Sequence, residues 1–279
     1  MNWWCSAQNQ RWDWTWTPYL GVWLIAGLLI IAYVSGRVWG KRRGLYCSGR
    51  QLASYVGGVA VFWIAADWPL AAIGASYLLS VHTLQYVLFV FAVPPLMIWG
   101  MPPWMLRRLL ASKPLASLAR MFSRPLVALV TFNGILLVSH VPRVVDGLTV
   151  TQAGSFAVNM AWVFSGFVFW WQILAPLPEW KPMHYGGRLL FLLANLLVTT
   201  IPASFLIFSE YPIYSLYELA PPFGGLSTIQ DQRIAAMIMK ILGGLIIVGI
   251  GAVLFFRWNR KDGVEGDLVD SAGGKPVRT

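Results

Sequence analysis

Charge is the scarcest property of this 279-residue chain: Asp, Glu, Lys and Arg together supply 11% of it. An ordinary soluble domain carries about a quarter charged residues and is excluded. Histidine is rare, with three copies, and cysteine rarer, with two. Cys5 and Cys47 flank the first apolar run, so they belong on opposite membrane faces. A disulfide between them is geometrically implausible, and no metal-type Cys spacing exists. The opening MNWWCSAQNQRWDWTWTP has no basic region before a short apolar core, so it is no secretory signal. The first span is therefore expected to stay in the mature protein. The apolar runs hold no nucleophile triad, no phosphate loop and no paired carboxylates, and the expectation is that the protein is not an enzyme.

What is abundant is apolar and aromatic: 57% hydrophobic residues and 16 Trp. Indole rings favour the headgroup level, and Trp3, Trp4, Trp12, Trp14, Trp16, Trp68, Trp99, Trp104, Trp170, Trp171 and Trp258 sit near span ends. Seven spans are expected: Pro18–Val38, Leu52–Ala66, Ser76–Trp99, Leu126–Ser139, Phe156–Leu174, Leu189–Phe208 and Arg233–Phe256. The second and fourth are short enough to extend into neighbouring loops. The expected fold is all-α and polytopic: an aromatic-rich external segment 1–17, a transmembrane domain 18–256 and a disordered tail 257–279.

Alternate loops concentrate the basic residues. Lys41, Arg42, Arg43 and Arg50 follow span one; Arg107, Arg108, Lys113, Arg120 and Arg124 follow span three. Lys181 and Arg188 follow span five, and Arg257, Arg260 and Lys261 open the tail. The opposite loops carry Asp67, Asp146, Glu210, Glu218 and Asp231 with few bases. The positive-inside rule then puts the N-terminus outside and the C-terminus in the cytoplasm. The net charge of +10 is explained by these loops, with the lipid bilayer and not nucleic acid as the partner.

The third span, SVHTLQYVLFVFAVPPLMIW, is the most informative stretch. An intramembrane imidazole needs a partner or a polar pocket. His82, Gln85 and Tyr86 fall at i, i+3 and i+4, hence on one helix face. His140 lies at the outer mouth of span four, so two of the three histidines belong to the outer side. The functional reading is a copper or redox-cofactor site; the alternative is a buried His bonded to a hydroxyl or carbonyl. Met160 and Met237 are candidate thioether ligands, or simple packing residues. Lys240, inside span seven, needs relief from hydrocarbon, and a buried carboxylate or carbonyl partner is expected. Pro94-Pro95 require neighbours that satisfy freed carbonyls. The loop from Ser209 to Gln232 reads as a folded external cover, either a lid or docking surface, or an interfacial anchor.

These segments resemble the seven-span CtaG family of cytochrome c oxidase assembly proteins. The resemblance runs from about Asp67 to Lys240. It is carried by Ser80-Val81-His82-Thr83-Leu84-Gln85, Pro94 to Pro102, Phe132-Asn133, His140-Val141-Pro142 with Asp146, Ser165-Gly166, Phe169-Trp170-Trp171, Phe208, Tyr211 to Tyr214 and Asp231-Gln232. It implies a bacterial plasma-membrane protein that matures a haem–copper oxidase, with oxidase subunits as partners, by helping copper reach it. Tyr86 stands where the family's second motif His is expected, and Ser139 where a Trp is expected. Ser155 and Asn159 stand at the paired His of span five, and Lys240 at an apolar position. His82 and His140 remain as the imidazole pair for transient Cu(I), with Met160 or Met237 assisting. Asp67 and Asp146 would attract or orient the ion, and Tyr86 would bond to His82. A metal-free scaffold and a copper or small-solute transporter are the competing readings.

Overall fold

The computed structural model describes residues 2–180 and 183–273, with 261–273 as helix backbone. Among the described residues there are helices and no strands. In chain order they are α1 (Leu20–Lys41), α2 (Gly49–Ala66), α3 (Leu70–Ser76), α4 (Leu79–Val87), α5 (Val93–Gly100), α6 (Pro103–Leu109) and α7 (Lys113–Phe122). They continue as α8 (Pro125–Ser139), α9 (Pro142–Leu148), α10 (Gln152–Leu174), α11 (Tyr185–Phe208), α12 (Ser215–Glu218), α13 (Thr228–Met237) and α14 (Gly243–Gly273). A π-helical turn, Leu88–Ala92, joins α4 to α5, and a second, Ile238–Leu242, joins α13 to α14.

Five helical rods are long and apolar enough to cross a membrane: α1, α4 to α5, α10, α11, and α13 to α14. The number rises to seven if each of two bent pairs is one span: α2 with α3, bent by 42°, and α7 with α8, bent by 80°. The α4–α5 rod is the centre of the bundle, with 72% of its apolar window buried, against 17% for α1. It is enclosed by α2, α10 and α13, while α1 leans on α2. Glycine sets the closest of these contacts. A Cβ on Gly100 would lie 2.5 Å from the Tyr55 backbone N, and one on Gly58 2.8 Å from Met97. A side chain at either place would push α2 off α5.

The proline pair is accommodated as expected of a packed span. A carbonyl at Val90 would ordinarily accept from residue 94 in an α-helix or 95 in a π-turn, and both are proline. The Trp170 indole donates to it instead, at 3.0 Å. Gly166 permits the approach of α10, since a Cβ there would meet the same oxygen at 2.6 Å.

Several boundaries move. The α13–α14 rod begins at Thr228, where Ser227 and Gln230 form a capping box, and not at Arg233. It also passes Phe256 and continues to Gly273. The 274–279 part of the expected disordered tail lies outside the described residues, as does Lys181. Helix α7 buries none of its residues, and Leu115, Leu118 and Met121 leave an apolar stripe exposed beside Lys113 and Arg120. At that same end, Arg43 and Arg108 sandwich the Trp39 ring, at 4.1 and 3.5 Å from its centroid. Both cysteines are free. Cys5 is buried within the amino-terminal segment, next to the fully buried Trp4. Cys47 lies 2.8 Å from the Tyr33 hydroxyl.

Candidate functional site

Helix α4 carries His82, Gln85 and Tyr86 on one face, and all three are buried. Its start is fixed from outside its own rod. The Asp231 carboxylate of α13 accepts from the Leu79 N–H at 2.6 Å, from the Ser80 N–H at 3.2 Å and from the Ser80 hydroxyl. Leu78 itself offers no side-chain cap, so α13 caps α4 in trans. Gln85 donates to the Ala65 carbonyl at 2.6 Å and so pins α4 to the last turn of α2.

Four rings follow one another behind this helix. His82 packs on Trp162 with centroids 5.0 Å apart, Trp162 on Tyr86 at 5.4 Å, and Tyr86 edge-on against His140 at 5.7 Å. The two histidines are thus bridged by Trp162 and Tyr86. Trp162 is anchored by its Nε1–H to the Ser139 hydroxyl at 3.0 Å, which donates in turn to Leu136 O at 3.0 Å. His140 Nδ1 lies 2.7 Å from the Leu136 carbonyl. A carbonyl can only accept, so that nitrogen carries the proton and Nε2 keeps its lone pair. His82 Nδ1 and the Tyr86 hydroxyl are buried and without a hydrogen-bond partner. Buried polar atoms are nearly always paired, and these two orphans lie on one helix face.

The segment between α11 and α13 forms a cover over this region. Tyr214 donates to the His140 carbonyl at 3.1 Å and Tyr217 to the Gly74 carbonyl at 2.8 Å. Burial pushes both phenols above the ordinary tyrosine range, so each remains a protonated donor. Gln232 holds the cover from below, accepting from Ile213 N–H at 2.8 Å and donating to Leu206 O at 3.1 Å. An apolar cleft of about 300 Å³ reaches His140 from the side, between α8 and α11, past Leu137, Ile201 and Phe205.

Several expected roles are not met. Tyr86 does not bond to His82; its ring meets that of His140 at a right angle and its hydroxyl is unpartnered. Asp146 is occupied in holding the cover, accepting from Ser215 and Leu216 N–H at 3.2 and 3.1 Å. Asp67 is buried under the amino-terminal segment, accepting from Tyr19 N–H at 3.1 Å. Asp146 also lines a cleft of about 310 Å³, and Asp67 Oδ2 is buried without a hydrogen-bond partner. Met237 is 45% exposed on α13, whereas Met160 is half-buried on α10 and Asn159 is buried beside it. Lys240 is exposed, and its partner is the Thr200 hydroxyl at 2.5 Å, not a buried carboxylate or carbonyl. It projects from the outside of the bundle, where the chain offers no buried acid. His184, the third histidine, caps α11 by accepting from Gly187 N–H at 2.8 Å.

The residue that sequence reasoning missed is Trp162. Its signal was spacing: Ser155, Asn159, Trp162, Gly166 and Trp170 recur at helical intervals, and all are buried. Among the described residues no three His, Cys, Asp or Glu side chains gather as a metal cluster.

The model of the cytochrome c oxidase caa3 assembly factor family (Caa3_CtaG) matches residues 8–261. No curated protein and no solved structure matches the chain.

Proposed function

Because the chain belongs to the cytochrome c oxidase caa3 assembly factor family, we propose that it assists maturation of a haem–copper oxidase by handling copper at the outer face of a bacterial plasma membrane. In this reading the protein crosses seven times, each bent pair counting as one span, with the N-terminus outside and the C-terminus cytoplasmic. The family is one of assembly factors and not a catalytic one, which agrees with the absence of hydrolytic signatures.

The observation that carries the copper reading is the pair of orphaned atoms, His82 Nδ1 and Tyr86 Oη, beside a His140 whose Nε2 lone pair is free. Copper is cargo here. Cu(I) accepts low coordination and imidazole donors, so two histidines suffice for a transient stop, whereas a multi-His Cu(II) site has no support. The bridging rings require local movement of Tyr86 before both nitrogens reach one ion. That requirement suits hand-over better than storage.

One observation favours a metal-free scaffold that binds oxidase helices: the lack of a three-ligand cluster among the described residues. The experiment separating the two is copper content by mass spectrometry after anaerobic Cu(I) loading, beside the His82→Ala/His140→Ala double variant. About one copper per chain, lost in the variant, is the expected result for a two-imidazole site. No copper in either protein overturns the copper reading and leaves the scaffold.

A further inference from the structure

Lys240 is the charge that neither the fold nor the copper reading uses. It lies in the π-helical turn Ile238–Leu242, seven residues past Arg233 and seventeen before Arg257 on a helical rod. At 1.5 Å per residue its Cα is about 10 Å below the first of these and about 25 Å above the second, hence inside the hydrocarbon. The side chain is exposed on the outside of the bundle. Its surroundings are apolar and equally uncovered: Leu197, Ile201, Met237, Ile241 and Leu245.

An ammonium at such a depth ordinarily snorkels to the interface. Here it is held sideways against α11 by Thr200, 2.5 Å away. Thr200 lies eight residues before the end of α11, at a comparable depth. The Thr200 hydroxyl proton is already given to the Leu196 carbonyl at 2.9 Å, so the hydroxyl meets Lys240 as a neutral acceptor. Among the described residues this is the sole partner of the ammonium. Two of its three N–H groups and its whole charge remain uncompensated. A Lys at mid-membrane is unfavourable, and a facing carboxylate would offset that cost.

We infer that the α11–α14 face around Lys240 docks a transmembrane helix of another protein, and that this helix presents an Asp or Glu to Lys240. Charge complementarity selects the occupant. Lipid tails supply no counter-charge at this depth. A second copy of this chain supplies none either: the runs 79–100, 152–174 and 185–208 contain no acidic residue, and Asp231 is engaged by Ser80. The inference rests on the assembly reading only in naming an oxidase membrane subunit as the first candidate partner.

The test is site-specific photo-crosslinking in intact membranes, with a photoreactive residue at Ile241 in the full chain, comparing Lys240, Lys240→Arg and Lys240→Met. The expected result is capture of one transmembrane protein with an Asp or Glu at the crosslinked depth. Capture is kept by the Arg variant and lost with Met at equal amounts of this protein. Reversing both partners, Lys240→Glu against a Lys at the captured acid, restores capture. Capture of lipid alone or of a second copy, capture of a helix without an acid, or capture undiminished by Lys240→Met overturns the inference. The identity of the captured protein separately tests the assembly reading, since a non-oxidase partner that passes the charge reversal leaves the docking site standing and that reading not.

Discussion

The Trp170 indole donates to the Val90 carbonyl at 3.0 Å, and Val90 is the residue whose helical donors are both proline. The third span therefore keeps its break at the cost of a dependency on α10. Losing that donor leaves a buried carbonyl unsatisfied, which costs about 1–3 kcal/mol. Trp170→Phe is expected to lower the unfolding free energy in detergent by that amount. Gly166→Ala presses on the same carbonyl and is expected to destabilise too. The double variant should fall short of the sum, because both act on Val90. Additive effects would show that the two residues act independently.

Asp231 serves as the cap that α4 lacks. Asp231→Ala removes the acceptor for two N–H groups and one hydroxyl, and a lost cap costs about 0.5–2 kcal/mol. Ser80→Ala removes the hydroxyl bond alone and is expected to cost less. Hydrogen exchange at Leu79 and Ser80 reads the effect locally: faster in Asp231→Ala, nearly unchanged in Ser80→Ala. An unchanged rate in both would mean that the helix start is held by packing.

Arg107 and Glu179 make the one ion pair among the described residues, at 2.7 Å, and both are exposed. The Arg107 guanidinium holds the Glu179 carboxyl below its ordinary 4.5. A depressed folded value means that any stabilisation is present at neutral pH and is lost only as pH falls through that lower value. Solvent-exposed pairs contribute little, so Glu179→Gln is expected to leave the thermal midpoint at pH 7 unchanged within error. A clear drop would show that the pair joins α6 to the 178–180 turn more tightly than its exposure implies.

Burial pushes the Cys5 thiol up to about 12, with Asp67 adding in the same direction against the Tyr19 hydroxyl. A neutral, buried thiol is inert. At pH 8 a maleimide is expected to modify the partly exposed Cys47 and spare Cys5 until the protein is denatured. In sealed vesicles a membrane-impermeant maleimide should reach Cys47 from the cytoplasmic side only. Labelling of Cys47 from the outside would reverse the proposed orientation.

The apolar runs announce themselves as spans, though not their ends, because a bilayer demands length and uncharged side chains and little else. The buried pairing of Gln85 and the tolerance of Pro94-Pro95 follow from the same demand: polar groups in hydrocarbon must be met. The partners were not legible. Nothing in the order of residues says that Trp170 would meet Val90, or that Asp231 would cap a helix 152 residues away, since both depend on which rods are neighbours. The direction in which Lys240 points was equally hidden. Its position in the run fixes depth, but a π-turn shifts the facing by one residue's rotation, about 100°. The candidate site was read through its histidines, and its centre proved to be Trp162, whose heptad-like spacing with Ser155 and Asn159 resembles ordinary packing.

The turn Leu88–Ala92 has a consequence for how this protein tolerates insertions and deletions. A π-turn holds one residue more than the α-helix it interrupts. Removing one residue from it would let the rod close as a regular helix with little change of phase, because a π-turn spreads its extra residue over about the same rotation. A residue removed elsewhere in the rod has no such turn to absorb it: everything below would rotate by about 100°, and Gly100 would swing away from Tyr55 while His82 stayed against Trp162. The upper half of the rod, which carries the histidine, and the lower half, which carries the glycine seam, are phased to different neighbours, and those five residues are the gear between them.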